Sequence, residues 1–369
     1  FMIIVVSSGH KPDDERIYHR EIKSLIRAGY SIQYFTRWDG KMDLSMGNLH
    51  HINLQRSQFT LRNYINYIIK NIGIVEILHI HEFDLLPLAK KLKQKYNTQI
   101  IYDVHDSLRE MWETFSTKRG LIKKIINCVL SEFEKYHLKF VDEIILANQP
   151  FKRGIYSNWG IPETIVENFP IIEKLGDSKS LNDQPIILYQ GQISQDRGLM
   201  SLIDAFQLVR DLKPKATLQI IGPSRPANYS NILKQKVKAM GYNNHVSILD
   251  DIPHEDIWDY MKDASIGVIP SLQLPRVLVD TPTKLFEYMA SGCVVVATDL
   301  PPIRRFLEGM GKLVAHESPE ELAHGITELL TCKNLYTNYS QEGISRIQNK
   351  YNWSFSEKRL LKLYQKLTT

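Results

Sequence analysis

The chain has 369 residues, 43% hydrophobic and 24% charged, the balance of a soluble globular protein of about two domains rather than a disordered one. Its net charge of +5 is too slight to argue for nucleic acid as a partner. The longest apolar run, Phe1 to Val6, falls far short of the roughly 18 residues of a membrane span and lacks the basic flank and cleavage site of a signal peptide.

Phe1 to Val6 reads as a buried strand ended by Ser7-Ser8-Gly9. A helical period runs from Glu15 to Ala28, with Ile17, Ile22, Leu25 and Ile26 apolar and Gly29 as the stop. Strands follow at Ser31–Thr36, Ile74–Ile80, Gln99–Val104 and Val141–Ala147, with a helix over Leu85–Tyr96. Val166 to Pro170 and the polar stretch Gly176 to Gln184 read as a linker, after which the alternation restarts. Strands are expected at Ile186–Gln190, Thr217–Ile221, Val246–Leu249, Ser265–Ile269 and Val294–Thr298. Helices are expected over Leu199–Leu212 and Tyr229–Met240, and from Asp256 and Thr283. Such alternation predicts two α/β units with parallel, doubly wound sheets and ligands at the carboxyl ends of the strands. Cys128, Cys293 and Cys332 are odd in number and far apart, which suits a reducing compartment and gives neither a disulfide framework nor zinc-ligand spacing.

Two segments carry chemistry. Gly191-Gln-Ile-Ser-Gln-Asp-Arg-Gly198 lies where a strand gives way to a helix. Glycines let its backbone turn tightly, the helix end offers free N–H groups, and Arg197 adds a fixed positive charge, so a phosphate is favoured. The second is Thr281-Pro-Thr-Lys-Leu-Phe-Glu-Tyr-Met-Ala-Ser-Gly292. Pro282 suits a first helical turn, leaving the amides of Thr283, Lys284 and Leu285 as donors. Glu287 is one turn deeper on the face of Thr283, where a carboxylate can grip ribose hydroxyls.

Leu188 to Phe206 resembles the donor loop of family 4 glycosyltransferases, and Pro282 to Thr298 is similar to that family's second donor motif. Leu218-Gln-Ile-Ile-Gly222 and Val268-Ile-Pro-Ser271 fall between them in the family's order. Ile80-His-Glu82, Tyr102-Asp-Val-His-Asp106 and Asp142 to Ala147 resemble its acceptor domain. The resemblance implies a GT-B fold: two Rossmann-like, doubly wound domains facing a central cleft, the first over residues 1–169 plus a helix at 352–369 crossing back, the second over 170–351. Trp353 would anchor that crossing. It implies a retaining, metal-independent transferase without a cofactor, moving a sugar from a nucleoside-diphosphate-sugar, UDP- or GDP-linked, to a glycan or lipid-linked acceptor. A place in bacterial surface polysaccharide assembly and a cytoplasmic location follow from the family.

Residue by residue, the resemblance gives Arg197 to the donor diphosphate, Glu287 to the ribose, and the amides of Thr283, Lys284 and Leu285 to the distal phosphate. Gly191 and Gly222 would let the backbone approach the donor, Asp251 and Ile252 would lie near the base, Gly9 would line the phosphate side, and His105 would face the reacting sugar. His105, Arg197 and Glu287 are the expected catalytic residues. Two positions depart from the family pattern. Gln192 stands where many members have an arginine, and Val279 where they have the partner of Glu287, with Asp280 adjacent. These departures motivate an alternative, a non-catalytic nucleotide-sugar-binding subunit. The enzyme rival is a sugar-nucleotide 2-epimerase of the same fold, against which the motif around Glu287 speaks. Ser8-Gly9-His10 lacks the three-glycine fingerprint of a dinucleotide oxidoreductase.

Two features stand apart. His79 and His81 point to one side of a strand but show no third metal ligand, so no metal site is expected. Residues 117–130 carry four basic side chains, no acidic one and a run of large aliphatics, which suits either a helix with a core face or a peripheral site on the inner face of the cytoplasmic membrane.

Overall fold

The computed structural model describes residues 2–104, 112, 116–117, 120–147, 156, 159–171, 175–250, 252–275, 277–278 and 282–368. Two compact units emerge: residues 1–168 with 353–369, and residues 169–352. Both are α/β units, each built on a parallel sheet. In the first, β1 (Met2–Ser7), β2 (Ser31–Arg37), β3 (Leu49–Leu54), β4 (Ile77–Ile80), β5 (Gln99–Val104), β6 (Glu143–Leu146) and β7 (Glu163–Ile165) lie in the order β3-β2-β1-β4-β5-β6-β7. In the second, β8 (Ile186–Gln190), β9 (Thr217–Ile221), β10 (Val246–Leu249), β11 (Ile266–Ile269), β12 (Val294–Thr298) and β13 (Gly311–Val314) lie in the order β10-β9-β8-β11-β12-β13. The strand order reverses between β1 and β4 in one sheet and between β8 and β11 in the other. Ligands of doubly wound sheets settle in the crevice outside the carboxyl ends at such a reversal.

The central strands are apolar on both faces because helices cover both. Val294-Val-Val-Ala-Thr298 is buried throughout and shows no alternation. In the first unit, odd-numbered residues such as Ile3, Val5, Ile77 and Ile101 meet Ile17, Ile22 and Leu25 on one side, together with Trp353, Leu360 and Tyr364. Even-numbered residues such as Ile4, Val6, Leu78 and Ile80 pack on Tyr64, Ile68, Leu88 and Leu92 on the other. The helical period from Glu15 begins as a π-helical stretch, Glu15–Ile22, and continues as an α-helix, Lys23–Arg27; the Asp14 carboxylate caps it by accepting from the amides of Arg16 and Ile17.

The segment read as a linker is pinned at both ends. The Val166 amide donates to the Leu146 carbonyl and its side chain is fully buried. Phe169 packs in the second unit against Phe286, Phe306 and Tyr351, so that unit begins one residue earlier than 170. Asn352 stays with it, its amide donating to the Ile347 and Gln348 carbonyls. Farther along, Lys179 donates to the carbonyls of Met261 and Ala264. The helix Trp353–Thr368 belongs to the first unit. Its indole donates to Ser24 Oγ at 2.9 Å, and Ser356 Oγ donates to the Glu167 carbonyl at 2.7 Å.

Candidate functional site

The carboxyl edge of the second sheet gathers most of the residues singled out from the sequence. β8 ends at Gln190 and the chain turns at Gly191, whose φ of +114° excludes ordinary side chains. A Cβ there would lie 2.6 Å from Lys284 Nζ, and a Cβ on Gly222 would lie 2.2 Å from the Gly191 carbonyl oxygen. Close packing against the Gly191 backbone thus excludes a side chain at Gly222, and at Gly191 the positive φ does so. A 3-10 turn, Gln195–Arg197, then leads into the helix Leu199–Leu212. The loop after β11 fixes that turn: the Leu272 amide donates to the Asp196 carbonyl at 3.0 Å, so Arg197 sits at the strand-order reversal.

Arg197 is a half-buried cation with little to neutralise it, and Lys284 is a buried amine beside it. The Arg197 side chain is 15% exposed, and its nearest carboxylate among the described residues, on Asp196, holds Oδ2 3.6 Å away while its Oδ1 accepts from Ser194 Oγ. Lys284 is 9% exposed and rests 4.1 Å over the ring of Tyr189. Burial, then the neighbouring Arg197, pushes its ammonium well below the ordinary lysine range. The Tyr189 hydroxyl donates to the Gln192 carbonyl at 2.7 Å, which holds the neutral Gln192 in the turn.

The helix Thr283–Ala290 begins at Pro282 with no side-chain cap. Of the three amides expected there, that of Leu285 donates to the Pro282 carbonyl, and those of Thr283 and Lys284 have no acceptor among the described residues. Thr283 and Glu287 are the helix's only half-buried residues, on one face as their spacing requires. Glu287 Oε2 accepts from Gln190 Nε2 at 2.5 Å. Gln190 is a site residue the sequence reading passed over: it is buried at the strand end, its amide donates to the Tyr288 hydroxyl, and it fixes the carboxylate's rotamer. Ile252 is half-buried and packs against the core of the second unit. Asp251, Val279, Asp280 and His105 lie outside the described residues.

In the first unit the same edge is arranged differently. Gly9 donates its amide to Glu82 Oε1 at 2.9 Å, and Glu82 also accepts from the Ser8 amide, Ser7 Oγ and His10 Nδ1. An internal carboxylate thus occupies the donors that would meet a phosphate at Gly9. Burial would raise Glu82, but the hydrogen bonds from His10, Ser7 and Ser8 hold it below the ordinary glutamate range.

Deeper in this unit, His79 and His81 meet two carboxylates that their spacing alone did not reveal. One atom each from Glu21, His79, His81 and Asp103 lie within 4.8 Å of one another, a set that could hold a metal ion. Arg16, however, is already the cation of this group: its guanidinium grips both Asp103 oxygens and lies 3.0 Å from Glu21. The histidine–carboxylate separations are 3.7 to 4.0 Å, and His79 Nδ1 bonds the Tyr364 hydroxyl at 2.8 Å. A divalent ion here would add charge to a buried site whose carboxylates are already matched, so these residues do not fit one. Burial and the adjacent Asp103 raise Glu21 well above the ordinary range. The folded state therefore holds a proton that the unfolded chain loses above about pH 4.5, and stability declines as pH rises towards the folded pKa. Glu21→Gln should remove that decline, and its melting temperature should gain on wild type as pH is raised from 5 to 8. An unchanged difference across that range would place an ionised Glu21 in the folded protein.

Residues 171–346 match the family model described as Glycosyl transferases group 1, nearly the whole of the second unit. The second unit is a group 1 glycosyltransferase domain. A phosphatidyl-myo-inositol mannosyltransferase of Mycobacterium leprae (strain TN) is 22% identical over 304 residues, 80% of this chain and 75% of that protein. Sucrose-phosphate synthase from Thermosynechococcus elongatus superimposes with a TM-score of 0.80 at 20% identity, over 100% of this chain and 99% of that one. HepE of Anabaena in complex with UDP gives 0.75 at 14% identity, over 99% of each. The fold is GT-B, of two Rossmann-like domains, and the chain is a glycosyltransferase of this type.

Proposed function

We propose that this glycosyltransferase moves a sugar from a nucleoside-diphosphate-sugar to a glycan or lipid-linked acceptor with retention of configuration, in the assembly of a bacterial surface polysaccharide. The observation that carries the donor half is the weakly neutralised Arg197 and the buried Lys284 amine, beside helix amides with no acceptor among the described residues, at the strand-order reversal of the second sheet. A diphosphate supplies the missing negative charge. Glu287, fixed by Gln190, takes the ribose hydroxyls. As the sugar–phosphate bond breaks, charge collects on the departing diphosphate, where Arg197, Lys284 and the Thr283 and Lys284 amides stabilise it without a metal ion. The acceptor attacks from the face the phosphate leaves, which accounts for retention without a protein nucleophile. His105 faces the reacting sugar in this reading, and the first unit takes the acceptor.

Thermal unfolding with UDP, GDP, ADP, CMP and dTDP, each with and without magnesium, tests the donor half. A ligand at 100 times its Kd adds about 2.7 kcal/mol, enough to move the transition by degrees. UDP or GDP should give a shift that magnesium does not change. Absence of a shift with all five would sink the donor assignment, and a strict need for magnesium would sink the metal-free chemistry.

The helix Gly120–Leu138 supports a lipid-linked acceptor at a membrane surface. Leu121, Ile122, Ile125 and Val129 share one face and are 53 to 72% exposed, with Lys123 and Lys124 beside them. No helix among the described residues is long and apolar enough to cross a membrane, so binding would be peripheral. Wild type should pellet with vesicles of anionic lipid and the variant Lys123→Glu/Lys124→Glu should stay in the supernatant. Equal pelleting of the two would remove this face from the reading.

A further inference from the structure

Lys284 is the least accommodated charge in the second unit. Its amino group is nine-tenths buried, faces the ring of Tyr189 from 4.1 Å, and abuts the turn at Gly191. Among the described residues it makes neither a hydrogen bond nor an ion pair. Among the described residues, every charged group near it is committed or of the wrong kind. From the turn Gln195–Arg197 come Arg197, of like sign, and Asp196, which accepts from Ser194. From its own helix comes Glu287, which accepts from Gln190. From β8 comes Tyr189, a neutral phenol whose hydroxyl is spent on the Gln192 carbonyl. An ammonium buried without a hydrogen-bond acceptor costs several kcal/mol, and a titratable group in that position gives up its proton instead. Lys284 itself stands in the first turn of the helix Thr283–Ala290, where the amides of Thr283 and Lys284 have no acceptor among the described residues.

We propose that a nucleoside diphosphate enters this site together with a proton, taken up by Lys284, so that the ammonium forms only beneath the phosphates. The proposal rests on the donor reading given above and deepens it. The step is an acid–base one: the Nζ lone pair takes a proton from solvent, a new N–H bond points at a phosphate oxygen, and no other bond changes. Binding then adds one positive charge to the site as it adds the negative charges of the ligand. Among the described residues the free site carries Arg197 as its one cation and avoids two like charges confronting each other with nothing between them. It also follows that donor affinity declines with rising pH over a range where a fully ionised diphosphate keeps its charge.

Isothermal titration of UDP and of GDP into the full chain at pH 8, in buffers of differing ionisation enthalpy, reads the proton directly. The slope of observed enthalpy against buffer enthalpy should correspond to about one proton taken up per nucleotide bound. Nucleotide affinity should fall by about tenfold per pH unit above the free-site pKa of Lys284. Lys284→Arg, charged at all these pH values, should bind with no uptake and no such pH slope, and Lys284→Met should bind weakly with no uptake. The wild-type buffer dependence stands as a test even where a variant fails to fold. Binding by wild type without proton uptake, or an equal uptake by Lys284→Arg, overturns the proposal and leaves the donor reading standing. Failure of the wild type to bind either nucleotide overturns both.

Discussion

Arg197→Ala should turn over its donor at least about a hundredfold more slowly than wild type while melting at nearly the same temperature. The size follows from removing one fixed donor aimed at charge that grows only as the bond to phosphate breaks. The small stability effect follows from what Arg197 touches: its one carboxylate neighbour among the described residues stands 3.6 Å away and has another partner. Its place comes from the backbone, since the Leu272 amide and the Gly198 turn hold the segment whatever the side chain is. Arg197→Lys should recover part of the rate, because an ammonium restores the charge but not the planar fork. Single-turnover kinetics with the donor identified by the melting screen would separate the chemical step from binding. A variant rate within threefold of wild type would take Arg197 out of the site.

Arg16→Ala should cost the first unit about 3–5 kcal/mol, the usual penalty for leaving a buried charge without its partner. Asp103 is fully buried and receives three contacts from the guanidinium, which also donates to the Val166 carbonyl. The charge imbalance, rather than lost packing, is the expected cause, and a second variant distinguishes the two. Arg16→Met with Asp103→Asn removes cation and anion together and should recover a large part of the loss in urea unfolding. Equal destabilisation of the single and double variants would assign the effect to shape. Binding of a nucleotide to the second unit should survive in either variant at temperatures where both remain folded.

What could be read from the sequence divides along physical lines. The central strands β8 and β9 are continuous apolar runs bounded by turn residues, and their ends were legible to the residue. The strands that escaped, β3, β7 and β13, all lie at sheet edges, where half the surface faces water and polar residues such as His50, Asn53 and Lys312 break the pattern. The helix Pro319–Leu329 was missed although Ser318-Pro-Glu-Glu carries a readable start: Ser318 Oγ accepts from the Glu321 amide. Within the site, Arg197, Lys284 and Glu287 were legible because their motifs are local. Gln190 was not, because its meaning depends on a helix that begins 93 residues later coming back beside β8. The same holds for Glu21 and Asp103, far apart in the chain and joined to the histidines only by folding.

The order in which the chain is made gives one arrangement a consequence of its own. Trp353, Leu360 and Tyr364 complete the core of the first unit, and the Tyr364 hydroxyl reaches His79 in its middle. A ribosome releases those residues only after all of residues 169–352 has been synthesised. The unit begun first is therefore finished last, and it waits with one flank of its sheet uncovered while the later unit has everything it needs to fold. Such a nascent chain should depend on chaperones for the first half of its length. A stop codon just before Trp353 should leave the second unit able to melt cooperatively beside a first unit that cannot.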